Sequence, residues 1–202
     1  MFKVKEIFYS LQGEGHYSGT PCIFCRFVGC NLWSGKEADK RNSVCWFCDT
    51  DFLGGAKYSE DDLVEAICSM WPGGGRPRVV FTGGEPSLQL TKSLIERLRK
   101  KHFDIAVETN GENPLPNSPP FWVTVSPKTS NFKVRKGHEA KLLWPEFKGL
   151  IAACEESDFD FLFVQPVDDK NYEANLRSAT DFVLNNPRWR LSLQTHKILG
   201  IR

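Results

Sequence analysis

No stretch of the chain approaches the ~20 consecutive apolar residues that a membrane-spanning helix needs. The first residues, MFKVKEIFYSLQGEG, have neither the long apolar core nor the small-residue cleavage site of a secretion signal. The expected location is the cytoplasm, with no membrane partner. A surplus of charge is missing as well. The formal net charge is +1 and the charged residues are spread along the chain, so there is no basic patch of the kind that dominates nucleic-acid affinity. A small solute is the expected partner. Internal repeats and low-complexity segments are absent too. What is present is a chain of 202 residues, 41% hydrophobic and 12% aromatic, which can bury a sizeable core and fits one domain, residues 1–202, more easily than two.

Seven cysteines is an odd number for a chain without a secretion signal, which points away from a disulfide framework and toward metal or redox use. Three of them, Cys30, Cys45 and Cys48, stand as C-x14-C-x2-C within Gly29 to Asp51. Three thiolates on one loop can hold three irons of a cubane cluster and leave the fourth iron without a protein ligand. Trp33, Trp46 and Phe47 interleave them, and an apolar wall would shield such a cluster from water; both tryptophans also suit plain packing. A rival reading pairs Cys22-x2-Cys25 with Cys45-x2-Cys48 across 19 residues as a four-cysteine zinc site. Geometry opposes it, because residues three apart on a strand point to opposite faces. Cys68 and Cys154 lie within or near helices and read as plain thiols, buried or exposed.

Along the chain, Val4 to Tyr9 alternates apolar and charged residues and leads into Leu11-Gln12-Gly13-Glu14-Gly15. Two glycines flanking a glutamate suit a tight turn in which the backbone comes close to something, or an ordinary hairpin turn. Cys22 to Val28 reads as a buried strand interrupted by Arg26. That arginine is either paired and snorkelling or placed to grip an anionic substrate. Ser59 caps a helix through Trp71, with Leu63, Val64, Ile67 and Met70 on its apolar face. Val79 to Thr82 is a strand running into Gly83-Gly84-Glu85-Pro86, followed by a helix from Ser87 to His102. Strands follow at Ile105 to Val107, Trp122 to Val125, Lys141 to Leu143 (weak) and Phe159 to Gln165. A helix over Tyr172 to Asn185 and a last strand at Trp189 to Leu193 complete the series.

This alternation predicts an α/β fold with a mainly parallel sheet. Polar residues and glycines collect at the C-terminal ends of successive strands, the edge where parallel sheets and barrels bind ligands. An eight-fold barrel takes about 250 residues as a rule, so an incomplete TIM-like barrel fits this length better.

The cysteine triad, with Phe47 just before its last member, resembles the cluster motif of the radical S-adenosylmethionine (SAM) superfamily, and Gly83-Gly84-Glu85-Pro86 resembles its second motif. The fourteen-residue first gap, LQGEG, CRFVGCNLW, CDTDF, ETNG, SPK, QP and QTHK together resemble the 7-carboxy-7-deazaguanine synthase family over nearly the whole chain. That resemblance implies an incomplete (β6/α3) barrel, a homodimer, a [4Fe-4S] cluster, SAM, Mg2+ and an external one-electron reductant of the flavodoxin or ferredoxin type. The implied reaction converts 6-carboxy-5,6,7,8-tetrahydropterin into 7-carboxy-7-deazaguanine with loss of ammonia, on the route to queuosine and other deazapurines.

By the same resemblance Cys30, Cys45 and Cys48 hold the cluster. SAM is surrounded by Phe47, Cys48, Asp49, Gly84, Ser126, Pro127, Lys128, Gln165, Pro166, Val167 and Asp168. Thr50 supplies the Mg2+ ligand. The pterin faces Leu11, Gln12, Gly13, Glu14, Arg26, Thr82, Glu108, His196 and Arg202, the last through its terminal carboxylate. Chemically, Arg26 suits the substrate carboxylate, and Gln12 and Glu14 suit the donor and acceptor edge of the ring. Glu85 and Pro86 are read as shaping a turn whose backbone does the binding. His196 fits either a pocket or the surface. Two alternatives remain: a radical enzyme of other specificity, such as a glycyl-radical activase, and a zinc-bound interaction module.

Overall fold

Apolar runs separated by glycine, proline and polar turns fold into nine strands and six α-helices among the described residues, 1–117 and 121–202, of the computed structural model. They divide into two units. One comprises Met1–Ser10, Pro21–Thr109 and Asn113–Trp122; the other comprises Leu11–Thr20, Asn110–Glu112 and Val123–Arg202. No helix among the described residues is long and apolar enough to cross a membrane.

The first unit holds β1 (Phe2–Leu11, its last residue in the other unit), β2 (Pro21–Phe27), α1 (Glu37–Lys40), β3 (Ala56–Tyr58), α2 (Glu60–Ser69), β4 (Arg78–Gly83), α3 (Lys92–Lys100) and β5 (Asp104–Thr109). Its strand order is β3-β1-β2-β4-β5. The β2–β4 and β4–β5 pairs are parallel, and β3 adds an antiparallel edge to β1. Side chains alternate across β2 with period two. Cys22 shares one face with Phe24 and packs against Val80 and Ala106. Cys25 is on the opposite face, fully buried, where desolvation pushes its thiol well above the ordinary range. The two sulfurs of this C-x2-C pair therefore face opposite sides of the sheet.

Helix α2 starts where the sequence places it, at Ser59, whose hydroxyl accepts from the Asp62 N–H at 3.1 Å while Asp62 reaches back in a capping box. It buries Leu63, Val64 and Ile67 and ends at Ser69; Met70 is the C-cap and only half-buried. The helix expected over Ser87 to His102 is divided. A 3-10 turn spans Pro86–Leu88, Leu90 is buried, and α3 begins after Thr91, whose hydroxyl caps the Leu94 N–H at 3.2 Å. A threonine that can cap from a non-helical conformation restarts the helix there. His102, with φ of 66°, lies beyond its end.

The second unit holds β6 (Trp122–Val125, its first residue in the other unit), β7 (Lys136–Trp144), α4 (Ile151–Glu155), β8 (Asp158–Pro166), α5 (Tyr172–Asn185), β9 (Trp189–Leu191) and α6 (Thr195–Leu199). These strands run in the order β6-β7-β8-β9, all pairs parallel. Ala140, Leu142, Leu162, Val164, Ala179 and Trp189 form a core under α5. Lys141 to Leu143, the weak strand of the sequence, is the end of the nine-residue β7. Its first half, KGHEA, carries Glu139 on the same parity as Lys141, and both are buried. A polar buried face hides a strand from any hydrophobic pattern.

Candidate active site

The first unit gathers the cysteine loop and the Gly-Gly-Glu-Pro turn. Gly84 donates its N–H to the Phe27 carbonyl at 3.2 Å, and Glu85 donates its own to the Gly29 carbonyl at 2.8 Å. A Cβ on Gly84 would sit 2.0 Å from the Gly29 oxygen and 3.0 Å from the Cβ of Cys30. Bare backbone is thus what lets the turn lie directly against the first cysteine. Glu85 is fully buried and its carboxylate accepts from the Ser87 N–H at 2.9 Å and the Thr109 hydroxyl at 2.6 Å. Those bonds pin the turn.

Cys30 follows β2, and Cys45 and Cys48 are joined by a turn in which the Cys48 N–H donates to the Cys45 carbonyl at 2.9 Å. None of the three is in a disulfide. Burial raises the Cys30 pKa. The N–H groups of Leu32 and Trp33 oppose that shift, whereas negative charge on Glu85 or Cys48 reinforces it, so Cys48 lies within electrostatic reach of Cys30. Among the described residues no three His, Cys, Asp or Glu side chains converge closely enough to share one ion. A cubane makes no such demand, because each thiolate takes a different iron. Three cysteines outside any disulfide, on one loop beside a Cβ-free turn, fit that group.

The fourteen intervening residues are anchored through Trp33. Trp33 is buried edge-on against Phe52 at 5.4 Å, its indole N–H donates to the Lys36 carbonyl and Asp39 Oδ1, and the Lys40 ammonium lies over its ring. Trp33 is therefore packing. Trp46 is 43% exposed and meets Phe47 edge-on, so the expected wall of three aromatics does not include it. Asp49 is exposed and Thr50 half-buried just after Cys48. Of the residues expected around the pterin, Arg26 and Thr82 are register partners on β2 and β4, and Glu108 of β5 has the same parity as Ala106, which packs on that face. All three thus share one side of the sheet at the strands' C-terminal ends. Arg26 Nε donates to Glu6 Oε1 at 2.8 Å, so it is a paired arginine in the protein itself.

The second unit is organised around Glu14. The turn expected at Leu11 to Gly15 is the start of a longer closed loop: Gln12 N–H donates to the Thr20 carbonyl at 2.8 Å and Gly19 N–H to the Gln12 carbonyl at 2.7 Å. The tight turns fall at residues 15–20. Both glycines are nonetheless sites of close approach. A Cβ on Gly13 would fall 2.1 Å from His196 Nδ1, and one on Gly15, whose φ is +63°, 2.1 Å from Glu139 Oε2. Thr195 donates both its N–H and its hydroxyl to the Gly13 carbonyl, which fixes α6 and holds His196 over the loop. His196 is half-buried against this loop. Gly15→Ala combines a strained φ with a collision against a buried carboxylate and is expected to cost at least about 2 kcal/mol of stability, read from chemical denaturation.

Glu14 Oε1 accepts from the Gln165 and Gln194 amides, each at 2.9 Å, and Oε2 meets the Lys141 ammonium. Burial alone would raise the carboxyl pKa. The Lys141 charge and the hydrogen bonds from Lys141, Gln194 and Gln165 outweigh it and bring the value down to about 2. Glu14 is an ionised acceptor throughout the physiological range. Lys141, Gln194 and Ser192 were not legible as site residues. The signal for Lys141 is a lysine two residues after a glutamate and directly before Leu142-Leu143-Trp144.

Ser126, Pro127 and Lys128 follow β6, with the Lys128 ammonium donating to the Ser126 carbonyl and hydroxyl. Gln165, Pro166 and Val167 are buried at the end of β8, whereas Asp168 is exposed and paired with Lys197 at 2.7 Å. Gln165 spends its side-chain amide on Glu14 and Ser192. Leu11 is half-buried, and Arg202 is exposed at the chain's last position.

A strand-and-helix fold of this kind, with a cysteine triad beside a glycine turn, is that of a radical SAM enzyme: residues 41–178 match the model of the Radical SAM superfamily. The 7-carboxy-7-deazaguanine synthase of Burkholderia multivorans is 47% identical over 99% of both chains, and that of Bradyrhizobium diazoefficiens is 46% identical over 100% of this chain and 99% of its own. The crystal structure of QueE from Escherichia coli superposes with a TM-score of 0.74 at 26% identity, covering 96% of this chain and 93% of that one. The chain belongs to the 7-carboxy-7-deazaguanine synthase family, and its fold is the incomplete TIM-like barrel of the radical SAM enzymes. Membership implies a [4Fe-4S] cluster and SAM.

Proposed function

We propose that residues 1–202 act as one catalytic domain that contracts the ring of 6-carboxy-5,6,7,8-tetrahydropterin to 7-carboxy-7-deazaguanine. A ring nitrogen leaves as ammonia, and the product feeds queuosine and related deazapurines in the cytoplasm. The observation that carries this reading is the end-to-end likeness to enzymes named for that product. Cys30, Cys45 and Cys48 would hold the cluster, and the cofactor would rest against Phe47, Asp49, the Gly84 backbone, Ser126 to Lys128 and Gln165 to Asp168. When bound, cluster and SAM supply one-electron cleavage of a sulfonium bond, driven by an external reductant of the flavodoxin or ferredoxin type.

The chain's own residues position the substrate. Arg26, steadied by Glu6 through Nε, presents the rest of its guanidinium to the substrate carboxylate. Glu14 accepts from the donor edge of the pterin, beside Leu11 to Gly13 and His196. Thr82 and Glu108 lie on the face that carries Arg26, and Arg202 is proposed as a further substrate contact. Thr50 is the proposed oxygen ligand of Mg2+, a hard cation suited to bridging a hydroxyl and substrate oxygens. The assembly is proposed to be a homodimer. Anaerobic incubation of the reconstituted protein with the carboxypterin, SAM, Mg2+ and a reductant should yield the deazaguanine and ammonia, with turnover falling when Mg2+ is chelated. No product under these conditions would refute the substrate assignment.

A further inference from the structure

We propose that Lys141 is a positioning residue for substrate recognition. Paired with Oε2 of Glu14 while two amides occupy Oε1, it leaves the carboxylate one acceptor position for one N–H of a nitrogen heterocycle. The inference rests on the reading above, in which Glu14 meets the pterin, and adds how that carboxylate is held and what holds it.

An ionised carboxylate offers about four lone-pair positions. Gln165 and Gln194 fill the two on Oε1, and Lys141 takes one on Oε2, so among the described residues one is left. The orientation of the Gln165 amide is dictated by its neighbours. The Gly15 N–H donates to Ser192 Oγ at 3.0 Å, which turns the Ser192 hydroxyl proton toward Gln165 Oε1 at 2.8 Å, and the Gln165 NH2 must then face Glu14. This ring of bonds ties Glu14 back to the backbone one residue after it. A carboxylate so restrained reads a single donor with little freedom to adapt.

The charged and titratable groups around this loop include Lys141 and Glu139 from β7, His196 from α6, and His16 and Tyr17 on the loop itself. His16 stacks on Phe161 of β8, and Arg190 of β9 lies over the same ring. His16 N–H donates to Glu139 Oε2 at 3.2 Å. Of these groups it is Lys141, only 6% exposed at its side chain, that bonds to the Glu14 carboxylate itself. Without it, burial of Glu14 loses its main opponent, and the carboxyl pKa rises.

The test compares Lys141→Met with the wild type. Cluster content and melting temperature are measured first, followed by kcat and KM across pH. The variant should raise KM for the carboxypterin roughly tenfold to a hundredfold with a smaller change in kcat. Its log kcat/KM should acquire an acid limb that the wild type lacks. On substrate-free protein near pH ~6, isotope-edited infrared spectra should show a carboxylate band for Glu14 in the wild type and a protonated-carboxyl band in Lys141→Met. The double variant Glu14→Gln/Lys141→Met should cost no more than Glu14→Gln alone, because Lys141 acts through Glu14. Should Lys141→Met not fold, Gln194→Leu removes one amide without orphaning a charge and should raise KM several-fold. A wild-type pH profile and infrared band in Lys141→Met, additive costs in the double variant, or an unchanged KM in Gln194→Leu would each overturn the role of Lys141. Absence of carboxypterin turnover in the wild type, with the infrared change still present, would instead refute the substrate and leave Lys141 as the group that keeps Glu14 ionised.

Discussion

Replacing Cys30 by alanine should abolish the iron–sulfur cluster, and with it all SAM-dependent chemistry. A three-cysteine site has no spare ligand: each thiolate holds one iron, and two cysteines cannot retain a cubane. Iron should fall from about four per chain to near zero, the brown colour should be lost, and product formation should drop below detection. The control lies within the same protein. Cys22 is packed in the sheet among Val80 and Ala106, and Cys25 is buried on the opposite face, so Cys22→Ala and Cys25→Ala should lower stability modestly and leave iron content unchanged. Were the Cys22 or Cys25 variants to lose the metal while Cys30→Ala kept it, the cluster assignment would fall and the zinc alternative would return.

Gly84→Ala should be nearly as damaging by a different route. The added methyl would meet the Gly29 carbonyl oxygen at 2.0 Å and its carbon at 2.5 Å. Both are backbone atoms with no rotamer to swing away. Either the glycine turn lifts off and loses its bonds to Phe27 and Gly29, or the segment leading to Cys30 moves. Overpacking of this kind costs about 1–3 kcal/mol of stability. The functional loss should be larger, because a shift of ~1 Å at a site of bond cleavage can cost a hundredfold. The expected signature is a chain that still folds, incorporates iron poorly and binds SAM weakly in equilibrium dialysis. A variant with full iron, tight SAM binding and normal turnover would refute the close-approach role of Gly84.

Elements with simple patterns were legible in the sequence. Tyr172 to Asn185 is helical over that span in the structure, and the β-branched strand before Gly83 ends in the turn that its glycines require. The division of residues 86–100 into a 3-10 turn and α3 was not, because Thr91 acts as a cap only once the preceding turn is pinned by Glu85 and Thr109. The first half of β7 was hidden for a chemical reason: its inward positions hold Glu139 and Lys141, so apolar alternation fails where the strand serves the site. The cysteine triad could be read because its members lie close together in the chain. The partners of Glu14 could not, since Lys141, Gln165 and Gln194 stand 127, 151 and 180 residues away and meet it only through folding.

The expanded gap between the first two cysteines gains meaning from Trp33. Because Trp33 is held by Asp39 within the insertion and by Phe52 just beyond Cys48, the extra residues are tied back onto the segment that carries the cysteines. An enlarged spacing and an unaltered metal centre are compatible in one protein for that reason.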